Sequence, residues 1–132
     1  MLPVQAGVNA ALRTSLVQPI WAALASFTVG TLSLVLYALA TRLPWPSAPL
    51  ATIPLWQWTG GLLGALFVTL VILLTPRLGT ATTFGLIITG QLLASLVLDH
   101  FGWLGVPQHS VNPMRLLGLT LMIAGVALLR KF

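Results

Sequence analysis

The sequence predicts an all-α polytopic membrane protein, with four full transmembrane helices and one shorter helix at the N-terminus. Of its 132 residues, 58% are hydrophobic and only 5% are charged. Polar side chains are therefore too few to cover the surface of a water-soluble domain. The few charged residues stand between long apolar segments, where the ends of membrane-spanning helices are expected. The same composition excludes a disordered chain, which needs low hydrophobicity and high charge.

Prolines, glycines and charged residues place the helices, because a spanning helix needs about 20 apolar residues. Pro19 and Pro113 suit the first turn of a helix, and Asn112 is expected to cap the last one. The proline-rich stretch after Arg42 cannot continue a helix and is predicted to be a loop. The predicted helices of a single membrane domain, residues 1–132, cover residues 2–13, 19–40, 55–75, 80–98 and 113–130.

The first apolar segment ends at Arg13 and is too short to cross a membrane. A helix of its length reaches about 17 Å, roughly half of a bilayer. One interpretation is a half-helix or re-entrant segment. We favour the other, in which the chain begins part-way through a full helix and the N-terminal helix is truncated.

The charge balance excludes two classes of protein. The formal net charge is +5, but only Arg130 and Lys131 are adjacent and the other cations are isolated, whereas a nucleic-acid footprint needs clustered cations. We therefore expect no nucleic-acid partner. The chain has no cysteine and a single carboxylate side chain, Asp99. With so few reactive groups, we expect no enzyme, no metal site and no cofactor.

The placement of the cations also bears on orientation. Alternating the helices from the C-terminus places four cations on one side and two on the other, which favours a cytoplasmic C-terminus. The bias is small, so insertion in both orientations stays open. The first group is Arg13, Arg77, Arg130 and Lys131, and the second is Arg42 and Arg115. Four tryptophans fall on the second side, where they form an interfacial belt or bind a ligand: Trp45, Trp56, Trp58 and Trp103.

Two polar stripes interrupt the apolar segments. Residues four apart share one face of a helix, and a polar face within a membrane must turn from lipid toward protein or water. The stripes either line a solute pathway or bond neighbouring helices together. The first is Gln5, Asn9 and Arg13, and the second is Gln91, Ser95 and Asp99.

Asp99 is expected at the end of its helix, near the membrane interface. There it would bond the following loop or pair with Arg42 or Arg115. Proton coupling through Asp99 is the alternative. His100 and His109 lie nearby, but adjacent residues of a helix do not face the same way, so a metal site is not expected.

Small residues indicate faces where helices pack closely. Gly60 and Gly64 form a GxxxG pair, a pattern that lets two helix backbones approach. Such faces serve packing within one chain or dimerisation. The further packing candidates are Gly30, Gly118 and Gly125.

One specific motif is the run from Gly90 to Ser95, Gly-Gln-Leu-Leu-Ala-Ser, with Asp99-His-Phe-Gly eight residues after its glutamine. Together with five further segments, this order resembles the YdcZ-like family of the drug/metabolite transporter (DMT) superfamily. The further segments are Leu2–Ala10, Ser26–Thr31, Gly60–Ala65, Pro76–Gly79 and Arg115–Gly118.

The resemblance implies a multi-pass protein of the bacterial inner membrane that forms half of a ten-helix transporter. It would move a small organic solute as a homodimer or with a paired homologous half, in an antiparallel arrangement. The small multidrug exporters are distant relatives in the superfamily, and they carry a membrane-embedded glutamate in the first helix. In this chain Gln5 and Asn9 stand in the first helix instead. Their amides neither bind nor release a proton at accessible pH, so exchange of drug for proton at that position is disfavoured. The alternative function is a membrane scaffold or accessory subunit.

Overall fold

The structure, a computed structural model, describes residues 1–47 and 49–131, so Ala48 of the predicted loop and Phe132 lie outside it. The described chain contains five α-helices, with short 3₁₀ turns at Leu50–Thr52, Leu55–Trp58 and Trp103–Gly105. The helices are α1 (Leu2–Leu16), α2 (Pro19–Ala40), α3 (Thr59–Leu78), α4 (Thr80–Phe101) and α5 (Pro113–Lys131).

Four segments are long and apolar enough to cross a membrane, as the sequence predicts: Pro19–Ala40, Leu55–Leu78, Thr80–Phe101 and Pro113–Lys131. The fold class is therefore confirmed. The fifth helix, α1, has 15 residues and is about 23 Å long, less than the hydrocarbon core of about 30 Å. Only 11% to 17% of each span is buried within the chain, which leaves most of the apolar surface for lipid or for another protein.

Four helix ends differ from the prediction by three or four residues, including the end of α3, which lies at Leu78 rather than Thr75. The helix α1 continues three residues past Arg13 and ends at Leu16, because Val17 has a φ of 65° and Gln18, which precedes Pro19, is extended. The first turn of the second span is a 3₁₀ turn, so α3 begins at Thr59. The helix α4 continues to Phe101 and stops at Gly102, whose φ of 63° suits glycine.

The helix starts at Pro19 and Pro113 agree with the prediction. Asn112 caps α5 as expected, because its Oδ1 accepts a hydrogen bond from the N–H of Arg115 at 2.9 Å.

The chain divides into two compact units, Met1–Arg77 and Leu78–Phe132, whereas the single domain expected from the sequence stays a prediction. In the first unit α1 packs on α2, and Ala22 and Ala23 of α2 enclose the fully buried Ile72 of α3. In the second unit α4 packs on α5. Each unit therefore has its own helix–helix contact, and each contact has a groove beside it.

Candidate functional site

In the first unit, the groove lies along the contact between α1 and α2. Two adjoining cavities of about 440 and 250 Å³ share Gln5 and Ser26 and together form the α1–α2 groove. The volume of the larger cavity is within the range of small-molecule sites. The remaining lining of the groove is Met1, Val4, Val8, Asn9, Leu12, Ala25, Phe27, Val29, Gly30, Thr31 and Leu34.

Asn9 is the most deeply placed polar side chain of the α1–α2 groove. It is only 5% exposed, and its amide has no hydrogen-bond partner among residues 1–47 and 49–131. Gln5, one turn earlier on the same face, is exposed. An unpaired amide within a membrane costs several kcal/mol unless water or a ligand completes it. The expected stripe thus places two amides in one groove.

Arg13, the third member of that stripe, bonds the main chain of α3. Its Nη1 donates to the carbonyl oxygen of Ile72 at 3.4 Å. Pro76 lies four residues after Ile72 within α3 and has no N–H, so it cannot supply the bond that this carbonyl normally accepts. The helix was expected to end before Pro76. Instead it continues to Leu78, and Arg13 supplies a donor for the carbonyl that the proline leaves unpaired.

In the second unit, a cavity of about 350 Å³ lies between α4 and α5 and forms the α4–α5 groove. Ser95 and Asp99 line it from α4, and Arg115 lines it from α5. Arg115 Nη1 lies 3.2 Å from Asp99 Oδ2, with both side chains one-third exposed. The remaining lining is Leu92, Leu96, Gly118, Leu119 and Met122.

The pairing of Asp99 with Arg115 is one of the arrangements expected from the sequence, and the loop between the two helices completes it. Arg115 Nη1 also donates to the carbonyl of His109 at 3.2 Å. The N–H of His109 donates to the carbonyl of Asp99 at 2.8 Å, and Gln108 Nε2 donates to the carbonyl of His100 at 2.8 Å. These bonds tie the end of α4 to the loop that precedes α5.

Other residues of the predicted site lie elsewhere. Gln91, at the middle of α4, is exposed and is not among the lining residues of the α4–α5 groove. The helical period predicts that Leu96 and Leu119 face lipid. They line the α4–α5 groove instead, because helices that are apolar all round give the period nothing to distinguish.

The predicted packing glycines have different surroundings. A Cβ at Gly64 would lie 3.5 Å from Phe27, which places it against α2. At the other four positions such an atom would meet no described atom within 4 Å: Gly30, Gly60, Gly118 and Gly125. Sequence reasoning missed Gly85, where a Cβ would lie only 2.8 Å from Val126 Cγ2. Gly85 is therefore the glycine that lets α4 and α5 approach.

The tryptophans of the predicted belt are exposed. Trp103 stacks on Phe101 with ring centroids 5.0 Å apart. Neither groove includes a member of this group: Trp45, Trp56, Trp58 and Trp103. Within the described residues, no group of three or more His, Cys, Asp or Glu could hold a metal ion.

Four spans with mostly unburied apolar surfaces define a multi-pass integral membrane protein. The sequence profile of the family described as "Putative inner membrane exporter, YdcZ" matches residues 1–128. The chain belongs to this YdcZ family of the DMT superfamily. It is therefore an inner-membrane protein of the transporter class. Comparison with curated proteins and with solved structures gave no match.

Proposed function

We propose that the chain is half of a DMT transporter and moves a small organic solute as a homodimer or with a paired homologous half. The observation that carries this proposal is the buried, unpartnered amide of Asn9 in the α1–α2 groove, considered within the described chain. A helix-bonding amide would donate to a neighbouring helix, whereas this one faces an open groove. Gln5 beside it extends the polar lining.

Gln91 supports the pairing with a second half. It lies at the middle of α4, where hydrocarbon surrounds a spanning helix, yet it is exposed and has no partner among the residues that the structure describes. A lipid-facing amide at this depth is unfavourable, so a second half covers it. Gln91, Ser95 and Asp99 then belong to the solute pathway. Inverted-repeat transporters place such sites between two halves.

The arrangement of the two halves is proposed to be antiparallel. The small difference between the cations on the two sides allows the chain to insert in both orientations, and two copies of opposite orientation reproduce an inverted repeat. The open surroundings of Gly125 leave space on α5 for such a contact.

Transport by the purified protein in liposomes tests the proposal, against a panel of metabolites and cationic dyes. We expect saturable transport of at least one solute, reduced at least tenfold by Asn9→Leu. Ser33→Ala on α2 is the matched control, because its hydroxyl bonds the carbonyl of Val29 at 2.8 Å and Ser33 does not line the groove. Uniformly inactive liposomes, with Asn9→Cys inert to water-soluble thiol reagents in the folded protein, would favour the scaffold function instead.

A further inference from the structure

The hydroxyl groups of α2 fall into two sets. Thr28 Oγ1 donates to the carbonyl of Leu24 at 2.9 Å, and Ser33 Oγ donates to that of Val29 at 2.8 Å. Ser26 and Thr31 make no such bond, and neither has a side-chain hydrogen bond to any described residue. These two are the hydroxyls that line the α1–α2 groove.

The second unit also contains committed and uncommitted hydroxyls. Thr89 and Thr120 bond the carbonyls four residues before them, each at 2.8 Å. Ser95 lines the α4–α5 groove and has no partner in the described part of the chain, whereas the unpaired hydroxyl of Thr83 is buried outside that groove. A hydroxyl within a helix can be satisfied by a carbonyl of its own helix. A hydroxyl left uncommitted in a groove is available to water or to a solute.

The α1–α2 groove therefore offers uncommitted donors and acceptors from both of its helices. Gln5 and Asn9 contribute amides from α1, and Ser26 and Thr31 contribute hydroxyls from α2. Amides and hydroxyls each donate and accept hydrogen bonds. Asn9 is a second, independent indication of a ligand. It is only 5% exposed, and its amide has no hydrogen-bond partner among the described residues.

Away from the α-amino group of Met1, the groove carries no charge among the described residues. Among the described residues, no charged side chain lines it, and the guanidinium of Arg13 on the same helix bonds the carbonyl of Ile72. An isolated ion placed there would lose its hydration without gaining a counter-charge, at a cost of several kcal/mol. The groove thus selects against ions and in favour of groups that form hydrogen bonds.

We propose that the α1–α2 groove binds an uncharged solute that carries both hydrogen-bond donors and acceptors beside an apolar part. The apolar part contacts Val8, Leu12 and Val29, which line the same groove. This inference rests on the proposed function and names the class of its substrate.

Cysteine chemistry tests the inference, because the chain has no cysteine of its own. Ser26→Cys and Ser33→Cys differ by one sulfur atom from the parent and lie on the same helix, one in the groove and one outside it. The probes are three methanethiosulfonates: neutral hydroxyethyl, anionic sulfonatoethyl and cationic trimethylammonioethyl. Only a thiolate reacts, so a thiol that faces lipid stays inert.

We expect the neutral reagent to modify Ser26→Cys at least tenfold faster than Ser33→Cys in liposomes. Each rate is divided by the rate of the same reagent with free mercaptoethanol. On this scale, both charged reagents should modify Ser26→Cys at least tenfold more slowly than the neutral reagent does. Thr31→Cys against Ser33→Cys repeats the comparison if Ser26→Cys misfolds.

Three results would overturn the inference: equal modification of Ser26→Cys by charged and neutral reagents, an inert Ser26→Cys, or a Ser26→Cys disulfide between two copies. The last would show that a second copy occupies the groove. No transported solute is needed, so the outcome is separate from that of the transport assay. Selective modification without transport would contradict the proposed function alone.

Discussion

The guanidinium of Arg13 bonds the carbonyl of Ile72, the one carbonyl of α3 that Pro76 deprives of its helical donor. The side chain and the proline lie on different helices, so α1 completes a backbone defect in α3. This is a reason for a cation at the end of α1 that is independent of membrane topology.

Replacing Arg13 by methionine should lower the free energy of unfolding by about 1–3 kcal/mol, since a buried carbonyl loses its only donor. In a Pro76→Ala background the alanine N–H restores the helical bond, so the same replacement should cost less. Denaturant unfolding in detergent measures both. Arg77→Met, at an exposed residue, is the control. An equal cost in both backgrounds would contradict the assigned bond.

Gly85→Ala should destabilise the second unit by about 1–3 kcal/mol, because the new methyl overlaps Val126, only 2.8 Å away. Adding Val126→Ala should recover part of this loss by removing the obstructing methyl groups. Gly90→Ala on the same helix meets no atom within 4 Å and serves as the control. The check is thermal unfolding of the four proteins, and a Gly85→Ala protein as stable as the control would rule out the close approach.

Asp99→Asn should leave the pH dependence of transport unchanged and lower stability by less than about 1 kcal/mol, since the pair with Arg115 is one-third exposed. Arg115→Met should cost more, because its guanidinium also bonds the carbonyl of His109. Transport rates across a pH series and denaturation curves provide the measurements. Loss of the pH dependence in Asp99→Asn would instead assign proton coupling to this carboxylate.

Gln91→Leu should weaken association of two copies by about 1 kcal/mol, roughly fivefold, as expected for one interhelical hydrogen bond in a membrane. Dissociation followed by energy transfer between labelled copies in lipid measures the effect. Thr120→Val is the matched control, because its exposed hydroxyl is already bonded to Leu116. A protein that is monomeric and active in lipid would contradict the proposed pairing.

Neutralising the two C-terminal cations, Arg130 and Lys131, should lower the fraction of chains whose C-terminus is cytoplasmic, since basic residues favour that side. Arg42→Gln should raise this fraction, because it removes a cation from the opposite side. Reporter domains fused to the C-terminus measure the two fractions. Identical fractions in all variants would show that other features set the orientation.

The number and type of the helices could be predicted because charge, proline and glycine mark the ends of apolar segments. Pro19, Asn112 and Pro113 act through local backbone geometry, which the sequence carries directly. The end of α3 could not be predicted, since it depends on Arg13, a residue 59 positions from Ile72. The spacing from Ile72 to Pro76 identifies the unpaired carbonyl, but not the side chain that bonds it.

The direction in which each side chain faces was harder to predict than the position of the helices. Leu96, Leu119 and Gly85 were misjudged or missed because a spanning helix is apolar on every side, and apolar periodicity then carries no information about neighbours. The polar side chains gave a mixed result. Asn9 and Ser95 lie in grooves, as a membrane favours for such groups, whereas Gln91 is exposed and outside the α4–α5 groove.

The bonded loop between α4 and α5 has a consequence for biogenesis. The carbonyls of Asp99 and His100 at the end of α4 already accept bonds from His109 and Gln108. A helical hairpin whose connecting turn satisfies its own backbone has less polar surface to dehydrate when it leaves the translocation channel. The last two helices can therefore enter the bilayer together as a preassembled pair.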